Sequence, residues 1–94
     1  MERSYSGHDG IVYFGLFDRW IMSVVGVKQL YNEIDGGLNR SAMYRFKDAT
    51  VSFLESGDVK DGSPVQIRVE GDTSEIFDDI CKAIGRNFPA LRGS

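Results

Sequence analysis

The 94-residue sequence is poor in several features that chemistry and compartment often require. Its one cysteine, Cys81, excludes an internal disulfide framework. Its one histidine, His8, has no cysteine partner or acid cluster beside it, so no zinc site is expected. No apolar run approaches the length of a membrane span. There is no run of lysines or arginines, and the formal charge of −3 gives no field favouring nucleic acid or an anionic membrane. Met1-Glu2-Arg3-Ser4 continues into polar residues and glycines, so no signal peptide and a reducing, cytoplasmic setting are expected. Repeats, linkers and low-complexity tracts are lacking too. The expectation is one domain over 1–94, with 1–9 and 90–94 as loose ends; the start of an edge strand is the alternative for residues 1–10.

What is present is ordinary globular composition, 41% hydrophobic and 27% charged, enough for a small core. The clearest stretch runs from Ser56 to Phe88. Val65, Ile67 and Val69 alternate with Gln66, Arg68 and Glu70, the period of a half-buried strand. Asp61-Gly62 and Gly71-Asp72 supply flanking turns. Ile76, Phe77, Ile80, Ala83, Ile84 and Phe88 then form the stripe of an amphipathic helix. Asp72 is placed to cap it, with Glu75 three residues on, and Pro89 stops it. Cys81 reads as a small, partly buried apolar residue of this helix.

Elsewhere the pattern is less sharp. Ile11 to Phe14 predicts a short buried strand. Phe17, Trp20, Val24 and Val27 predict a helix over about Asp18 to Lys28. Residues 29–35 extend that helix or form a strand, and Gly36-Gly37 ends them. Ala42, Tyr44 and Phe46 mark one face of a strand within 38–46. For 49–55 a short helix capped by Asp48 is expected. A hairpin across Lys47-Asp48 is the alternative, disfavoured because two-residue turns prefer glycine or asparagine.

The order and several local signatures resemble the phosphocarrier protein HPr of the sugar phosphotransferase system. The resemblance rests on Gly57 to Gly62, Val65 to Val69, Glu70-Gly71-Asp72, Phe46-Lys47-Asp48 and Gly15 to Trp20. It implies an α+β open-faced sandwich, about four strands with helices packed on one face. Phe17 then falls where the family has its phosphoacceptor histidine, and a phenyl ring has no nucleophilic nitrogen. Arg19 matches the phosphate-steadying arginine, Trp20 replaces a proline, and Asp48 falls on the regulatory serine. The resemblance therefore implies a scaffold kept for contact, with Phe17, Arg19, Trp20, Asp48, Ala49, Thr50 and Phe53 as its docking surface.

Other chemistry is thin. His8 beside Asp9 is a conceivable phosphoacceptor, set in a polar terminus. Asp58, Asp61, Asp72, Asp78 and Asp79 do not follow a calcium loop, and no phosphate-binding glycine loop is present. Glu75, Asp78 and Asp79 on the last helix would repel nucleic-acid phosphates. Aromatic residues make up 12% of the chain, more than a small core hides easily, and exposed aromatics anchor partners. The resulting expectation is a non-enzymatic protein-binding or regulatory module without cofactor, metal, nucleic acid or membrane. The alternatives are a phosphotransfer accessory using His8 and a self-assembling homo-oligomer.

Overall fold

Val65, Ile67 and Val69 are at most 2% exposed, while Gln66, Arg68 and Glu70 face solvent. That alternation fixes which side of the sheet is inside. The computed structural model describes residues 1–8, 14–35, 39–57 and 64–93. Their order is β1 (Glu2–Gly7), α1 (Phe14–Met22), β2 (Lys28–Ile34), β3 (Arg40–Phe46), β4 (Ala49–Glu55), β5 (Val65–Glu70), α2 (Ser74–Asn87) and β6 (Arg92–Gly93). The strands form one sheet in the order β2-β3-β4-β5-β1-β6, with every neighbouring pair antiparallel. Six antiparallel strands replace the expected four-stranded HPr-like sandwich, so the fold expectation is corrected.

Three local differences account for this. First, Glu2 to Gly7, expected as a loose end or the start of an edge strand, forms β1 and pairs along the whole of β5. Its inner face carries one large apolar residue, Tyr5, and the strand is held by pairing as much as by burial. The Met1 ammonium donates to the Gly71 carbonyl at 2.8 Å, closing its start. At the other end of the chain, Arg92 and Gly93 add β6 to the free edge of β1.

Second, residues 49–55 are a strand rather than a short helix. Ala49, Val51 and Phe53 point inward, and Phe46 pairs with Ala49 across the two-residue turn Lys47-Asp48. Lys47 takes φ 54°, the left-handed value that the first position of a hairpin turn requires and that glycine usually supplies. Packing of the three inward residues outweighs the mismatch in turn chemistry.

Third, α1 begins at Phe14 and stops at Met22, short of the expected 18–28. The chain then tightens through bonds from Ser23 to Trp20, Val24 to Ile21 and Val27 to Val24, and Gly26 sits at φ 91°. Val24 and Val25 add β-branched crowding to a segment that glycine already weakens. The chain emerges as β2, so residues 29–34 are strand and not an extension of the helix. Of the predicted strand from Ile11 to Phe14, residues 11–13 lie outside the described residues and Phe14 is helical. The turn at Asp61-Gly62 also lies outside them.

Both helices pack on the inner face of the sheet. The core joins Phe17 and Ile21 of α1 and Phe77, Cys81 and Ile84 of α2 to Tyr5, Ala42, Tyr44, Val51, Phe53, Val65, Ile67 and Val69. Gly71 lets the chain turn closely under α2; a Cβ there would sit 3.3 Å from that of Ala49. α2 ends at Asn87, just before Phe88-Pro89.

Phe17, fully buried at this junction, is the residue whose loss should cost most. Phe17→Ala should lower the urea-unfolding free energy by about 3–5 kcal/mol, whereas Arg19→Ala on the exposed side of the same helix should stay within about 0.5 kcal/mol.

Candidate functional site

The residues expected to form a docking surface divide by burial. Phe17, Ala49 and Phe53 show no solvent exposure. The Phe17 ring lies 5.1 Å from Phe53, 5.7 Å from Trp20, 5.7 Å from Phe88 and 5.9 Å from Tyr44. These are core contacts, and while the fold is intact the three residues have no surface to offer. Trp20 is half-buried against Phe88, 5.6 Å away and nearly perpendicular. Arg19 faces solvent. Thr50 lies on the opposite, open face of β4. The expected set is thus spread over core, helix exterior and open sheet face.

Asp48 has a structural task. Its carboxylate accepts bonds from the Thr73 amide, at 2.9 Å, and from the Thr73 hydroxyl. Thr73 is the N-cap residue of α2 and makes no cap bond with its own side chain. Asp48 therefore places a negative charge at the start of that helix from across the chain, in the role foreseen for Asp72. Its second oxygen, Oδ1, is buried without a partner.

His8 is exposed just beyond β1, in a shallow cleft shared with Ser6, Ser56, Gln66 and Arg92. Among the described residues, no group of three or more His, Cys, Asp and Glu side chains could hold a metal ion. No helix there is long and apolar enough to cross a membrane.

Two buried phenols tie the layers together. Tyr44 donates to Asp18 Oδ1 at 2.7 Å, and the Gln29 amide donates to the same oxygen at 2.9 Å, linking β3, α1 and β2. Burial first, then the bond to Asp18, pushes the Tyr44 phenol well above its ordinary value. Tyr5 donates to the Cys81 carbonyl at 3.2 Å, and burial is the largest cause pushing its phenol up to about 12.

Two surface features remain. A cleft of about 240 Å³ opens between the end of α1, the middle of α2 and the sheet; Trp20, Val24, Val27, Phe46 and Ile80 line it, with Asp79 its one charged group. The second feature is β2. All seven of its residues are exposed, and it ends the sheet. Leu30 (47%), Tyr31 (38%) and Ile34 (54%) are three of the eight large apolar side chains left exposed among the described residues. Tyr31 lies opposite Met43, and both line an open-face depression together with exposed Leu54. On that same face Arg68 bridges Glu2 at 2.8 Å and Glu70 at 2.9 Å, half-exposed pairs worth about 0–1 kcal/mol each.

Sequence reasoning left residues 29–35 open between helix and strand and gave them no functional role. A strand exposed on both sides carries no two-residue polarity pattern, and the available signal was only the cluster Leu30-Tyr31 between breakers. No family model, curated protein or solved structure matches this chain.

Two outcomes follow from these contacts. Asp48→Ala should cost about 1–2 kcal/mol in urea unfolding, because the cap of α2 is lost. Both phenols are raised in the folded state, so their contribution is fully present below pH 10.0, the ordinary phenol value, and is lost as pH rises through the folded values. Stability should fall above that pH, and Tyr5→Phe should flatten the alkaline slope measured by urea unfolding at stepped pH.

Proposed function

We propose that this protein is a non-enzymatic binding domain that takes its protein partner along the outer edge of β2, adding an extended segment to the sheet. The observation that supports the reading is the seven-residue edge strand itself, exposed throughout and carrying Leu30, Tyr31 and Ile34. Sheet edges present rows of backbone donors and acceptors, and proteins usually blunt them with short strands, prolines, charges or bulges. β2 carries Lys28, Glu33 and a register shift after Gln29, but it is neither short nor interrupted by proline and is exposed along its whole length. An added strand takes affinity from main-chain bonds and selectivity from alternate side chains. Here those side chains are Tyr31 on the open face, next to Met43 and Leu54, and Ile34 on the helix face.

The edge is also well braced, which limits the ordering a partner must impose. Gln29 is held by Asp18, and Asn32 Oδ1 accepts from Arg40 at 2.9 Å while the Arg40 guanidinium lies 4.3 Å over the Phe14 ring. Beyond β2, Asp35 and Asn39 close the return to β3 with bonds of 3.0 Å.

The test is selection of peptides from a random library on the immobilised protein, followed by amide chemical-shift mapping of a selected peptide. Shifts should centre on 28–34 and the facing residues of β3, and Leu30→Asp with Tyr31→Asp should weaken binding at least tenfold, by roughly 1.4 kcal/mol or more. Shifts confined to Trp20, Val24, Val27 and Ile80 would move the site to the cleft and defeat the reading.

A further inference from the structure

β2 is not a regular strand. Lys28 pairs with Arg45 and Gln29 with Tyr44, but Tyr31 pairs with Met43, so Leu30 is an extra residue and the register shifts across it. Directly paired residues of an antiparallel ladder share a face. Arg45 and Met43 lie on the open face, Tyr44 and Ala42 on the helix face. Lys28, Tyr31 and Glu33 therefore face the open side, and Gln29, Asn32 and Ile34 the helix side. The extra residue inverts the alternation between the two halves of the strand.

That inversion makes the strand complementary to itself. Two copies related by a twofold axis perpendicular to the sheet run antiparallel and keep the same face upward. A regular strand in that arrangement can set a residue only opposite itself or opposite one an even number of positions away, because neighbours point to opposite sides. The bulge lifts this restriction. With the axis between Leu30 and Tyr31, Lys28 of each copy lies opposite Glu33 of the other, both on the open face. Gln29 lies opposite Asn32, both on the helix face. Leu30 and Tyr31 meet their counterparts at the centre. The Lys28–Glu33 pair forms twice, once on each side of the axis, and the apolar pair is enclosed between amide pairs. A slip of one residue sets Gln29 opposite Glu33, which point to different sides; a slip that centres Glu33 sets like charges together.

The geometry points to a second copy of this chain as the occupant of the β2 edge, joined in this register into a continuous twelve-stranded sheet with all four helices on one side. This rests on the reading of β2 as a binding edge and names its partner. The full exposure of β2 leaves its helix face open to the approaching copy. A contact confined to one strand per copy is at the small end of stable interfaces, so the association should be weak and concentration-dependent.

Sedimentation equilibrium from low micromolar to near-millimolar protein tests it, with circular dichroism to confirm that each variant is folded. The wild type should show a monomer–dimer equilibrium. Lys28→Glu and Glu33→Lys should each weaken it roughly tenfold, since two opposite-charge pairs become two like-charge pairs. An equimolar mixture of the two single variants should restore association, because every facing pair is then opposite in sign, and the double variant should self-associate again. A wild type that stays monomeric, or a dimer indifferent to these substitutions, would overturn the self-pairing. Peptide binding mapped to 28–34 would stand in either case, so loss of this proposal is distinguishable from loss of the edge reading.

Discussion

The ring of Phe17 meets rings from its own helix, from β3, from β4 and from the segment after α2, and the arrangement of layers depends on those contacts. Centroid separations of 5.1–5.9 Å at inclined angles are favourable aromatic geometry, worth about 0.5–1.5 kcal/mol per pair beyond burial. α1 is only nine residues long, or about 14 Å, too short to hold its place by helix propensity. It is fixed because Phe17 and Ile21 fill the gap between sheet and α2. Once α1 is fixed, Asp18 is in reach of Tyr44 and Gln29, and β2 is tied to the rest. The edge strand thus inherits its position from a side chain that never reaches the surface.

Geometry then explains why β2 is bare. Six strands at about 4.8 Å spacing make a sheet about 24 Å across between its outermost axes. Two helices packed side by side at about 10 Å each cover about 20 Å. With α2 over the central strands, the remainder falls at one margin. At the other margin, β6 is only two residues long and presents little edge. The long uncovered edge and the exposed apolar residues therefore coincide on the same strand.

Legibility in the sequence followed the strength of the environment at each position. β5 and α2 were plain because each has one buried and one wet face, and burial writes a period into sequence. Cys81 was read as partly buried for the same reason, and at 7% exposed it is more buried than that. β1 was hard to read because Arg3 and Gly7 share its inner face with Tyr5, which leaves no apolar alternation in the sequence. β4 was misread because Asp48 imitates a helix N-cap, while the deciding fact was a left-handed lysine in the turn between two packed strands. Asp48 was recognised as a cap but assigned to the wrong helix; a cap donated from a distant turn leaves no local spacing to find. Phe17 and Phe53 were taken for contact residues through the resemblance to HPr, yet Phe17 also fitted the apolar stripe of the first helix, and both rings are buried. The lesson lies in the rings: aromatic abundance in a short chain measures how much of a thin core must be filled by large residues before it measures what is left to bind.

The bulge in β2 bears on specificity as well as on exposure. A bulge ordinarily protects an edge, because an approaching regular strand finds the alternation broken partway and cannot keep both halves in phase. The protection holds only against regular partners. A strand with a matching irregularity meets no such conflict, so the same distortion that rejects most extended segments accepts those whose side chains invert at the corresponding point. Discrimination then comes from shape and facing, and the exposed apolar residues supply attraction without making the edge indiscriminate. An edge of this kind can be both long and apolar, as β2 is, and remain selective about what it pairs with.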